Sequence, residues 1–287
     1  MPAAAVFALL ASLAIPSSAL VAQTPLDSAA ITLRSHLALQ ALDRYLETWN
    51  SRDPKLWAAS LHYPHIRPGP GAFELSKTPE QYAAGVDFAA TLKTGWHHSE
   101  WTSRRVVQVG LDKVHVTGSW QRYTEDGRAL VGSAITYIVT NDRGRWGVLS
   151  RFAAGPTTAD TQLLAASSEA GVLAARQYFT AWNGHDARSL AAAQHYPFVR
   201  IGDGAVEVSA SIEEFLAGPE PGRQRTWFET RLDRAEAVQA STDGVNVAIT
   251  YSRRDRTGSA MSGYEAILLV IRRGGAWKVQ AISTMGI

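Results

Sequence analysis

The sequence predicts an α+β protein in which one unit is used twice, each copy carrying three helices against a mainly antiparallel sheet. Two observations carry that prediction. Trp49-Asn50-x-x-Asp53, His62-Tyr63-Pro64-x-x-Arg67 and Gly71-Ala72 recur as Trp182-Asn183-x-x-Asp186, His195-Tyr196-Pro197-x-x-Arg200 and Gly204-Ala205, at a constant offset of 133 residues. In each copy, apolar residues at helical spacing give way after the proline to long β-favouring runs separated by short Gly- and Asp-containing turns. At 287 residues the chain is long enough for two domains that each bury a core.

Residues 2–22 carry no charge: an apolar run from Ala3 to Ile15 is broken by Pro16-Ser17-Ser18 and followed by small residues. This is the anatomy of a secretory signal peptide, expected over residues 1–22, and the break argues against a membrane anchor, which needs about 20 apolar residues. After a short polar spacer, Ala29 to Trp49 has apolar residues at threes and fours and is expected to be helical. Asp53 caps a second short helix with Pro54 in its first turn. His65-Ile66-Arg67 reads as strand, Pro68 to Gly71 as turn, and Ala72 to Leu75 as the return strand. Thr78-Pro79 opens a third helix, expected to run to about Leu92.

The rest of the unit is a meander of Trp96–Val109, Lys113–Thr124, Ala129–Thr140 and Arg145–Phe152, whose short turns require antiparallel neighbours. The first unit is thus expected over 30–154, a linker over 155–164 and the second unit over 165–287. Helix Val172–Trp182 and the opening Ser211-Ile212-Glu213 mirror the first copy, and the meander repeats at an offset of 131.

This order of elements, with Trp-Asn-x-x-Asp closing the first helix and Gly-x-Trp opening the last strand, resembles the NTF2-like superfamily, including its ketosteroid-isomerase-like and SnoaL-like members. The resemblance implies two tandem cones, each a curved sheet wrapped around helices with a pocket inside. It also implies that the halves pair through their sheets as an intramolecular pseudo-dimer.

Candidate site residues follow. The isomerase-like members place a catalytic tyrosine five residues before the motif's asparagine, which here gives Tyr45 and Tyr178. A phenol there would donate to a developing enolate while a carboxylate moves the proton. The carboxylates within reach in the second copy are Asp203 and Glu229, with Glu265 also on a strand that could face the cavity. His62 and His195 sit at helix–strand joints, and Arg67 and Arg200 are expected either to pair with Asp53 and Asp186 or to hold a ligand carboxylate. His65, His98 and Trp101 complete the expected ligand-binding set, with Trp57 and Trp120 adding aromatic surface to the first cavity. A metal site from His62, His65, His97 and His98 is not expected, because the spacing matches no recognised ligand pattern and adjacent strand residues face opposite ways.

Composition removes other classes. The chain has no cysteine, so disulfides, thiol nucleophiles and cysteine-held metals are excluded. A net charge of +2 with bases and acids interleaved leaves no phosphate-binding stripe, and nucleic acid is not an expected partner. No Gly-rich phosphate loop or Gly-x-Ser-x-Gly elbow occurs, and nothing calls for a cofactor. The expected function is an exported protein that binds a small, largely apolar molecule in a cone-shaped pocket, with no stable membrane insertion once the leader is removed. The rival readings are an acid–base enzyme of the isomerase, cyclase or dehydratase kind working through Tyr178, His195 and Asp203 or Glu229, and an interaction module using the tandem sheet.

Overall fold

The computed structural model describes residues 26–71, 73–156, 158–202, 205–218 and 227–286. The expected leader and the candidate base Asp203 lie outside the described residues.

In the first unit, helix α1 (Ser28–Asn50) starts where Asp27 accepts from the Ala30 N–H and buries Ala38, Ala41, Leu42 and Tyr45. Helix α2 (Pro54–Ala59) starts at Asp53, whose carboxylate accepts from the Lys55 and Leu56 amides. Strands β1 (Leu61–Arg67) and β2 (Glu74–Ser76) form the hairpin. The third helix is broken in two. Helix α3 (Pro79–Ala84) ends at Gly85, and α4 (Phe88–Leu92) starts afresh with the Asp87 side chain capping Ala90. Glycine followed by a second capping aspartate offers the chain an exit and a new start that a continuous helix would waste. Strands β3 (His98–Val109), β4 (Lys113–Tyr123), β5 (Ala129–Asp142) and β6 (Arg145–Pro156) complete a six-stranded sheet of order β2-β1-β6-β5-β4-β3, antiparallel except where β1 meets β6.

The second unit repeats this with α5 (Thr161–Asn183), α6 (Ala187–Ala192), β7 (Gln194–Ile201), β8 (Val206–Ser209), α7 (Ile212–Ala217), β9 (Glu229–Ala240), β10 (Gly244–Arg254), β11 (Ala260–Arg273) and β12 (Ala276–Gly286). Its sheet order is β8-β7-β12-β11-β10-β9. Helix α5 starts eleven residues before Val172, because Asp160 caps it through the Leu163 amide. With β6 running on to Pro156, only residues 157–160 separate the two units' elements.

The Trp-Asn motif is a clasp between the first helix and the first meander strand. Asn50 donates to the Ser99 carbonyl and accepts its amide, while Trp49 and Trp96 both donate to Ser99 Oγ at 3.0 Å. Asn183, Trp182 and Trp227 do the same to Thr230. One motif thereby satisfies two indole N–H groups and a strand end, all of which would be costly to leave unpaired.

Each unit has its own core between helices and sheet, and a third apolar cluster lies between the sheets. There Ile66, Ile138 and Phe152 meet Val199, Ile201, Ile267, Leu269 and Ile271. Polar contacts across this layer are reciprocal. Gln108 Nε2 donates to the Ile249 carbonyl at 3.0 Å, and its repeat mate Gln239 donates to the Gly118 carbonyl at 3.0 Å. His115 contacts Gln108 and Ser283, while Asn246, at the matching position, donates to Gln239 and to the Phe152 carbonyl. Residue i touching j while j's mate touches i's mate is the mark of a two-fold arrangement. No helix of the described residues is long and apolar enough to cross a membrane.

Candidate functional site

Inside the first cone lies a cavity of about 390 Å³. Tyr45, Leu46 and Trp49 from α1, Trp57 from α2, and Trp120 and Ile135 from the sheet supply its apolar wall. Its polar lining is cationic: Arg67 from β1, Arg122 from β4 and Arg151 from β6, against Glu74 and Asp87. Glu74 is held by Arg67 at 2.6 Å, and Asp87 is the cap of α4.

Arg151 is the unusual member. Its side chain is buried, and no carboxylate among the described residues pairs with it. Its Nη1 donates to Tyr45 Oη at 2.5 Å and its Nη2 to Tyr82 Oη at 3.2 Å. Its Nε has no hydrogen-bond partner. The guanidinium lies 5.6 Å from the ring centres of both Tyr45 and Trp57. Burial pushes the Tyr82 phenol up to about 12, so it stays neutral and serves as a hydrogen-bonding group rather than a counter-charge. Arg122 sits over Trp49 at 4.8 Å and over Trp120 at 5.3 Å, with its Nε also buried and unpartnered. Burial lowers its affinity for the proton, the expected cost of a cation taken out of water.

Among the described residues the second cone holds a smaller cavity, about 130 Å³, lined by Tyr178, Phe179, Trp182, Arg200, Tyr251 and Arg253, among others. The repeat offsets explain the difference. Arg151 becomes Ile282, Tyr82 becomes Phe215, Tyr137 becomes Leu268 and Ser133 becomes Tyr264. Tyr264 stacks on Tyr251 at 5.0 Å and accepts from Arg253, occupying space that is empty in the first unit. Arg151, Tyr82 and Tyr137 of the first cone are thus replaced by hydrocarbon, while Tyr45, Arg67 and Arg122 keep counterparts in Tyr178, Arg200 and Arg253.

The expected site residues divide accordingly. Tyr45 and Arg67 line the first cavity, and Tyr178 and Arg200 the second. The arginines pair with Glu74 and Glu207 across the hairpins, not with Asp53 and Asp186, whose carboxylates are spent capping α2 and α6. His62 lies at the opposite side of the sheet edge, bonded to Thr140 Oγ1 at 2.7 Å; burial, then Arg145, lowers it to about 4. His65 is fully enclosed against Tyr82, with Nδ1 3.2 Å from the Val148 carbonyl, and burial lowers it well below the usual histidine range. His98 stacks on Tyr123 and faces Glu100, outside the cavity lining, and Trp101, cross-strand from the lining Trp120, packs edge-on against Tyr137 in the same core without lining the cavity. His195 is half-buried 3.1 Å from the Ala276 carbonyl, Glu229 is exposed at the start of β9, and neither lines the cavity that holds Tyr178. Burial raises Glu265, which likewise lines neither cone cavity. Tyr178, His195 and a carboxylate therefore do not converge among the described residues.

Arg151, Arg122, Tyr82 and Glu74 were not anticipated. Along β6 the alternation Trp146, Val148, Ser150, Phe152 assigns Arg151 to the far face. A register shift in the β5–β6 ladder between Val148 and Ser150 reverses the phase and turns Arg151 inward. The signal available was the repeat itself, which sets Arg151 against Ile282 at a strand position.

Residues 35–156 match a family described as "NTF2-like protein (DUF6841)". No curated protein matches the chain. Among solved structures, a ketosteroid isomerase-like protein from Erwinia carotovora atroseptica is 22% identical over 44% of this chain and 98% of its own, with a TM-score of 0.34. An NTF2-like protein with a cystatin-like fold from Novosphingobium aromaticivorans is 14% identical over 46% and 92%, with a TM-score of 0.36. A protein of unknown function with a cystatin-like fold from Nostoc punctiforme is 17% identical over 42% and 88%, with a TM-score of 0.35.

Proposed function

We propose that this chain, an NTF2-like protein over residues 35–156 with the same fold repeated behind it, binds a small, largely apolar molecule in the cone of its first unit. The observation that carries the reading is the contrast between the two cones. A chamber of about 390 Å³ walled by tryptophan and tyrosine falls in the size range of small-molecule sites. The second, at about 130 Å³, falls below it. In this reading the second unit is a structural partner, and the reciprocal contacts between the sheets support treating the halves as an intramolecular dimer. The uncharged apolar leader supports export, which would place the binding function outside the cytoplasm. An acid–base enzyme built on Tyr178 has less support, since neither His195 nor Glu229 lines its cavity.

Native mass spectrometry of the purified protein tests the reading. One small molecule should accompany each chain and be lost in Ser133→Tyr, which copies Tyr264 of the closed cone. A molecule that persists in Ser133→Tyr would place the site elsewhere.

A further inference from the structure

We infer that the molecule held in the first cone is an organic anion, a carboxylate or sulfonate on an apolar body, whose charged end is received by Arg151 with Arg122 beside it. The inference rests on the binding role proposed for this cone.

The argument begins with an uncompensated charge. A buried cation is normally paired, since neutral hydrogen bonds recover only part of its lost hydration. Arg151 has two phenol oxygens and no carboxylate among the described residues. The carboxylate whose field reaches it, Glu74, is engaged by Arg67. Of the five N–H donors of a guanidinium, two find acceptors among the described residues, both neutral phenols.

The phenols point the same way. Tyr45 and Tyr82 both accept from Arg151, and neither donates its own hydroxyl proton to a described residue. An anionic oxygen would accept from them and from the guanidinium together, turning an unsatisfied cluster into charge-assisted hydrogen bonds. Arg122, 4.8 and 5.3 Å from the Trp49 and Trp120 ring centres, puts a second cation on the same wall with its Nε unspent. Leu46, Trp49, Trp57, Trp120 and Ile135 give the body behind the charge an apolar face, beside Thr91, Ser99, Ser133 and two carboxylates already engaged, Glu74 by Arg67 and Asp87 as the cap of α4. The second cone acts as an internal control. Where the cavity is smaller, Arg151 is replaced by Ile282 and its partner Tyr82 by Phe215, while Tyr45 and Arg122 keep counterparts in Tyr178 and Arg253.

The test compares two dyes of the same apolar framework, anilinonaphthalene sulfonate, a monoanion, and phenylnaphthylamine, which is neutral. Each is titrated by fluorescence into the ligand-stripped full chain and into Arg151→Met. Wild type should bind the anion more tightly than the neutral dye by about ten- to a hundred-fold, as expected for charge-assisted hydrogen bonds. Arg151→Met should remove that preference and leave the neutral dye's affinity in place. If neither dye binds, the cone is not a binding site and the inference falls with it. If both bind equally to wild type, or the preference survives Arg151→Met, the binding role stands and the anion is overturned. Should Arg151→Met fail to fold, the wild-type ratio alone decides: a preference of ten-fold or more supports the assignment and parity refutes it.

Discussion

An arginine kept for a ligand and an arginine kept for the fold respond differently to removal, and Arg151 can be placed between them by arithmetic. Arg151→Met on ligand-free protein gives up two hydrogen bonds from a charged donor, about 1.5–3 kcal/mol each, and ring contacts of about 0.5–2 kcal/mol. It also relieves the desolvation of an unpaired buried cation, a cost of several kcal/mol. The terms nearly cancel, so unfolding free energy should change by less than about 2 kcal/mol in either direction. Breaking a true buried ion pair would instead cost about 3–5 kcal/mol. The assay is urea unfolding of stripped wild type and variant, read by tryptophan fluorescence and far-UV circular dichroism, with the urea dependence unchanged between them. A loss above about 3 kcal/mol would show that Arg151 has a structural partner and would remove the reason to assign it a ligand.

Three further outcomes follow from the same structure. Ile282→Arg plants the cation in the second cone, where Phe215 and Leu268 offer no hydroxyls, and should destabilise by about 3–5 kcal/mol in the same unfolding assay; a neutral result would mean that cone is wet and open. Gly244→Ala puts a methyl 2.1 Å from the Ala154 carbonyl oxygen across the sheet–sheet contact and should cost about 1–3 kcal/mol by overpacking, which a melting temperature within error of wild type would refute. His62, held neutral to about 4 by burial and then by Arg145, takes up its proton more readily when unfolded, near 6.5. Its contribution is therefore complete above pH 6.5 and is lost as pH falls toward 4, by at most about 3 kcal/mol. Stability of wild type minus that of His62→Gln, measured across this window, should fall with pH, and a flat difference would contradict the burial argument.

Much of the fold was legible because it was written twice. The Trp-Asn-x-x-Asp repeat located both first helices and both caps, and the β-favouring runs between short turns located the meander strands. What escaped was local phase. The α3–α4 break sets Gly85 at the end of one helix and Asp87 at the start of the next, a pairing the helical spacing of the apolar residues does not show. The site escaped for a related reason. Tyr45 was found by resemblance, but its partner Arg151 is turned inward by a register shift that alternation cannot reveal. His62 and His195 drew attention because histidine often carries chemistry, yet their repeated motif joins helix to sheet, with Tyr63–Pro64 and Tyr196–Pro197 both cis. The difference between the copies, Arg151 against Ile282, is what the proposed site rests on, more than their likeness.

The central claim is that one cone of two is a binding chamber, and counting sites tests it most directly. Equilibrium dialysis of anilinonaphthalene sulfonate against the stripped full-length chain should saturate at one dye per chain, and Ser133→Tyr should reduce that to none. Two dyes per chain, or one that survives Ser133→Tyr, would contradict the account.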